Sequence, residues 1–105
     1  MRYDVYPNPI ASLRASFPCV LEIQSDRHDA FSERVCMPLA QPGAFPGMTE
    51  RLNPTLQVAG FDDGLHVHPF GIAVFLQREL RGKIDNLQSQ ALTIDGAVEF
   101  LLRGY

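Results

Sequence analysis

Thr55-Leu56-Gln57-Val58 alternates in polarity, Gly60-Phe61-Asp62-Asp63-Gly64 supplies turn residues, and Leu65-His66-Val67-His68 alternates again. A period of two places successive side chains on opposite faces of an extended chain, and glycine with aspartate between two such runs reads as a β-hairpin. The neighbouring segments repeat this grammar. Toward the N-terminus, the two prolines and two glycines of Gln41–Gly47 predict a loop, and Arg34-Val35-Cys36-Met37 predicts a strand stopped by Pro38. Cys19-Val20-Leu21-Glu22-Ile23-Gln24 predicts another, with Leu21 and Ile23 on one face and Glu22 and Gln24 on the other. A polar stretch, Ser25-Asp26-Arg27-His28-Asp29, ends it. Met1, Tyr3 and Val5 alternate with Arg2, Asp4 and Tyr6 until Pro7-Asn8-Pro9 breaks the pattern.

Toward the C-terminus, one or two strands are expected between Ile72 and Ile84, with a break near Gly82, before the period changes. From Gln90 onward Ala91, Ile94, Val98 and Leu101 recur at spacings of three and four, the signature of one helical face. Ser89 is the expected N-cap, and Arg103 suits the negative end of the helix dipole. Short strands in series closed by one helix predict a mainly β (α+β) fold, an antiparallel barrel with a C-terminal α-helix, as a single domain over residues 1–105. Phe100 and Leu102 lie off the main helical face, and spare apolar surface there predicts a partner such as a second copy of the chain.

Composition narrows the function classes. The chain has 105 residues, 9 basic and 12 acidic, for a net charge of −3. That balance lacks the basic excess of a protein that grips nucleic acid phosphates. With 46% hydrophobic and 20% charged residues it matches a folded globule and not a disordered tail. The longest nearly apolar run, Phe70 to Leu76, falls far short of the roughly 20 residues a bilayer crossing needs. Asp4 interrupts the N-terminal segment where a secretory signal would be apolar, so a cytoplasmic location is expected, with Cys19 and Cys36 reduced and buried as small hydrophobes.

Candidate chemistry is sparse. His66 and His68 share a strand face, yet other metal ligands fall at no recognisable spacing, and the pair reads as a solvated hairpin face. Asp62-Asp63 and Asp26 with Asp29 fall in turns, where aspartate bonds its own backbone. No nucleophile elbow, phosphate-cradling loop, HExxH or CxxC is present. No catalytic residue, metal ligand or cofactor is assigned.

Read in order, "RYDVYPNP", "LEIQSD" followed by "RVCMPL", "ERLNPTLQVAG" and the closing "IDGAVEFLLRGY" resemble the CcdB family of bacterial toxins over nearly the whole chain. The resemblance implies an SH3-like barrel of the CcdB type with a C-terminal helix, assembled as a homodimer. It implies a non-catalytic toxin of a type II toxin–antitoxin pair, which binds the A subunit of DNA gyrase, traps the cleaved-DNA complex and is neutralised by a CcdA-like antitoxin. Operator DNA is then held only through the antitoxin. By position, Glu99, Leu102, Arg103, Gly104 and Tyr105 would face gyrase, and Arg27, His28 and Arg103 would face the antitoxin. Glycine at 104 is also what a helix stop requires. The sequence departs from the family at Arg103, where gyrase-poisoning members place a tryptophan that stacks on a gyrase arginine. Polar Arg27 and His28 likewise stand where the best-studied members carry apolar residues. The alternative is a non-poisoning homologue that serves as an antitoxin-binding partner or co-repressor.

Overall fold

In the computed structural model, which describes residues 1–104, seven strands form one antiparallel sheet. They are β1 (Asp4–Pro7), β2 (Cys19–Glu22), β3 (Glu33–Ala40), β4 (Thr55–Val58), β5 (Phe61–Val67), β6 (Ala73–Leu76) and β7 (Asp85–Asn86), and helix α1 (Ala91–Arg103) follows. The strands run in the order β4-β5-β3-β2-β1-β7, and β6 pairs with β3 off this path. The mainly antiparallel β sheet with one terminal helix matches expectation, but the sheet does not close into a barrel, because no backbone ladder joins β4 to β7. Side chains span the seam instead. The Gln90 amide accepts from Gln57 N–H at 2.9 Å and donates to Gln57 O at 2.8 Å, and the Asp85 carboxylate accepts from Ala59 N–H at 3.0 Å.

The 55–68 hairpin forms with a tighter turn than the sequence suggests. Val58 pairs with Phe61 across Ala59-Gly60, so Asp62 and Asp63 lie within β5 and not in the turn. Two residues suffice because Gly60 takes a φ of 86°, the left-handed conformation that short hairpin loops need. The register then shifts between Leu56 and Val58, with Gly64 at a φ of 73° beside the irregularity.

Pro38 does not stop its strand. β3 runs through it to Ala40, with β5 paired at Leu39–Ala40 and β6 at Glu33–Cys36. Pro38 therefore falls in the gap between two partner strands, where no neighbour asks for its missing N–H. Its carbonyl turns to the same side and accepts from His68 N–H at 3.1 Å.

Burial follows this topology. Val5, Leu21, Met37, Leu39, Leu56, Leu65, Val67, Leu87, Ile94 and Ala97 make the main core, with α1 laid across one face of the sheet. β2 is buried on both faces, so Glu22, expected outward, is only 1% exposed. Tyr3 has a φ of 71°, which an L-residue with a large side chain adopts only under constraint. Its N–H donates to Glu22 O at 2.7 Å and its hydroxyl to the Asp95 carboxylate of α1 at 2.9 Å, which hold it there. Ser89 is not the helix cap. A 3-10 turn (Gln88–Gln90) precedes α1, Asn86 Oδ1 accepts from Gln88 N–H at 3.0 Å, and no side chain caps Ala91.

Candidate functional site at the helix tail and the Asp26–His28 turn

The last turn of α1 projects into solvent. Leu102 is 73% exposed, and Gly104 takes a left-handed φ of 78° that directs its N–H onto Phe100 O at 2.8 Å, ending the helix. Arg103 Nε meets Glu99 Oε1 at 2.6 Å, one helical turn back, so its charge is balanced on its own helix. Tyr105 lies outside the described residues.

Arg27 and His28 sit on a single exposed 3-10 turn (Asp26–His28) after β2. Ser25 Oγ accepts from Arg27 N–H at 3.3 Å, the bond by which Ser25 opens the turn. Gln24 fastens the turn from below: its amide donates to His28 O and Glu33 O and accepts from Val35 N–H. Among the described residues no hydrogen bond or ion pair joins Arg103 to Arg27 or His28. Arg2, which the sequence did not single out, links the turn to the N-terminal half of α1. Its backbone N–H donates to Asp26 Oδ1 at 2.7 Å, and its guanidinium reaches Asp95 of α1 at 3.5 Å.

Two grooves flank this link. One of about 310 Å³ is lined by Arg2, Ile23, Asp95, Val98 and Glu99, and another of about 280 Å³ by Gln24, His28, Phe31, Glu33 and Val35. Between them an apolar row crosses the sheet. Ile23 N–H donates to Val35 O, and Val35 stands directly opposite Val74 on β6, so the three side chains share one face. Ile23 and Val35 are half-buried, whereas Val74 is 60% exposed, and among the described residues no strand pairs with the other edge of β6. The structure thus gathers Glu99 and His28, predicted from separate parts of the sequence, around one apolar strip.

Below the turn lies an ionic cluster that hydrophobic patterning gave no sign of. Glu22 Oε1 is 3.3 Å from the Met1 amine, which also meets Asp4 at 3.2 Å, and Arg34 Nε is 3.9 Å from Glu22 Oε2. Burial raises the Glu22 pKa, and the nearby Asp29 charge adds to that, against the opposing pull of the amine and Arg34. Burial alone would raise Asp4 as well, but the Asn86 amide, the Met1 amine and Lys83 bring it below the usual carboxylate range.

The histidines do not form a solvated hairpin face. His66 Nδ1 is 3.0 Å from Asn53 O, which only accepts, so the proton sits on Nδ1. His68 is half-buried and packs on Phe17 and Phe45, with ring centroids 5.3 and 4.6 Å away. Neither belongs to any cluster of three or more metal-ligating side chains among the described residues.

A family model described as CcdB protein matches residues 2–104. The chain belongs to the CcdB family. No curated protein matches it. CcdB membership makes it a toxin of a toxin–antitoxin system, with an antitoxin as partner, in a family of poisons and not of catalysts. Among the described residues, no helix of this CcdB-family chain is long and apolar enough to cross a membrane.

Proposed function

We propose that this toxin acts as a homodimer that binds the A subunit of DNA gyrase and traps the enzyme on cleaved DNA, until a CcdA-like antitoxin covers the same surface. The observation that carries the reading is the projecting tail, with exposed Leu102 and the left-handed stop at Gly104, on a helix whose first half Arg2 ties to the turn bearing Arg27 and His28. Such a surface needs no reacting group, because binding energy alone shifts gyrase toward its cleaved state. The apolar strip Ile23–Val35–Val74 and the free edge of β6 suit the second copy, since an antiparallel edge pairs with itself about a twofold axis. On this reading the curled sheet is the family's SH3-like barrel with its seam bridged by side chains. Operator DNA contacts fall to the antitoxin, in keeping with the net charge of −3.

Purified protein added to gyrase, ATP and supercoiled plasmid should accumulate cleaved DNA, and expression without antitoxin should arrest growth. Intact gyrase turnover in the presence of a folded dimer overturns the proposal. A second reading, a non-poisoning antitoxin-binding partner or co-repressor, is favoured by Arg103, whose guanidinium is already paired with Glu99 where poisoning members present an aromatic ring. Under that reading the wild-type chain spares gyrase and Arg103→Trp creates poisoning. Since aromatic anchors are frequent hot spots, the gain in apparent gyrase affinity should be about tenfold or more.

A further inference from the structure

We propose that Arg34 is a positioning residue for partner recognition: from inside the protein it holds the chain between β2 and β3 in the shape that presents Arg27 and His28 to the gyrase A subunit. The inference rests on the gyrase reading above and adds the residue that readies the surface. Residues 26–33 are all exposed. Phe31, their one large apolar side chain, is 62% exposed, its ring 6.3 Å from that of His28. Apolar burial therefore does not order this segment, and polar bonds must. The near half is fastened by Ser25 Oγ on Arg27 N–H, by Gln24 on His28 O and by Arg2 N–H on Asp26. In the far half Gln24 reaches Glu33 O and Gln77 N–H reaches Ser32 O, and Arg34 binds the rest. Its Nη2 donates to Asp29 O at 3.0 Å, and its Nη1 donates to Glu33 O at 3.1 Å and to Phe31 O.

The chemistry of arginine suits this task. Arg34 is 4% exposed and stands on β3 opposite Phe75 of β6, so its guanidinium is carried by a paired strand while the carbonyls it binds lie on the loop. Glu22 Oε2 faces its Nε from 3.9 Å, which balances the charge but is too long for a hydrogen bond. The Nη donors are left for the loop, and bonds from a charged donor are the strong kind. A planar fork with five N–H groups spans three carbonyls, whereas a lysine keeps the charge opposite Glu22 but carries its donors on one nitrogen. The effect reaches the turn itself. Asp29 follows His28 directly, and Phe31 N–H returns to His28 O at 3.1 Å, so fixing residues 29 and 31 fixes the end of the turn. A surface ordered before its partner arrives spares the complex the entropy of ordering it.

Wild type and Arg34→Lys are compared for binding to immobilised gyrase A subunit by biolayer interferometry and, free in solution, by amide hydrogen exchange. In the free variant, exchange across residues 27–31 should quicken about tenfold or more, and gyrase affinity should fall about tenfold although Arg27 and His28 are intact. His28→Ala should then cost less affinity in the Arg34→Lys background than in wild type, while Leu102→Ala, at the helix tail, should cost the same in both. A loss of overall stability alone would leave both costs unaltered. One readout needs no substitution and serves even where Arg34→Lys does not fold: in the wild type the Arg34 Nη protons should give separate, slowly exchanging NMR signals, while those of exposed Arg27 average. Averaged Arg34 signals, unchanged loop exchange, unchanged affinity in Arg34→Lys, or an unaltered cost of His28→Ala each overturns the positioning role while wild-type binding upholds the gyrase reading. A folded wild type that does not bind gyrase overturns the gyrase reading and the recognition role with it.

Discussion

Cys19 and Cys36 show how burial settles chemistry at a single residue. They lie at 0% and 1% exposure, and burial pushes their thiols up to about 11 and about 12. A thiolate is the reactive form, so at pH 8 neither should react with iodoacetamide in the native protein, and both should react within minutes in denaturant. Mass spectrometry of the two samples checks this, and native-state labelling of either residue would contradict it. The sequence disclosed the cysteines' burial because both stand in apolar runs. It concealed that of Glu22, because alternation assigns a face by parity and cannot show that β2 has cover on both sides.

Glycines separate the strands from the helix at the level of elements. At Gly64 an added Cβ would stand 2.7 Å from Leu56 O and from Thr55 Cγ2, and the φ of 73° is itself unfavourable for any other residue. Gly64→Ala should therefore cost about 2 kcal/mol or more in urea unfolding, with the loss traced to the β4–β5 hairpin. Gly96, inside α1, has nothing within 4 Å of an added Cβ. Gly96→Ala should raise stability by about 1 kcal/mol through helix propensity alone. Ile94→Ala on the opposite face should cost about 2–5 kcal/mol by emptying a fully buried site. The hairpin, the helix and its buried stripe were legible because their periods are local. Pro38 and Ser89 were misread for a shared reason. The tolerance of a missing N–H depends on which strands flank β3, and the start of α1 depends on a preceding turn held by Asn86, so neighbours distant in sequence decide both.

For the molecule as a whole, stability against pH gathers these environments together. Burial lowers the His68 pKa from its ordinary 6.5, so the folded state takes up a proton less readily than the unfolded chain. The stability this contributes is complete above pH 6.5 and is lost as pH falls below it toward the folded value. The melting temperature should therefore drop between pH 7.5 and 5.5, and His68→Phe, which keeps a ring between Phe17 and Phe45, should flatten that profile. Asp4 behaves in the same sense further into acid, since its lowered pKa makes its contribution present above the ordinary carboxylate value and lost as pH falls through the folded one. Fold class and α1 were readable from one chain; the Arg2 link between α1 and the turn, the β6 edge and the seam were not, because each joins segments far apart in sequence. That seam has a consequence of its own. The amides of Gln57 and Ala59 are secured by one glutamine and one aspartate rather than by a neighbouring strand. Solvent deuterium should enter at those two amides long before it reaches Leu21 or Met37, while Leu56, Leu65 and Val67 of the same hairpin, fully buried and anchored by β5 pairing with β3, stay closed with the core.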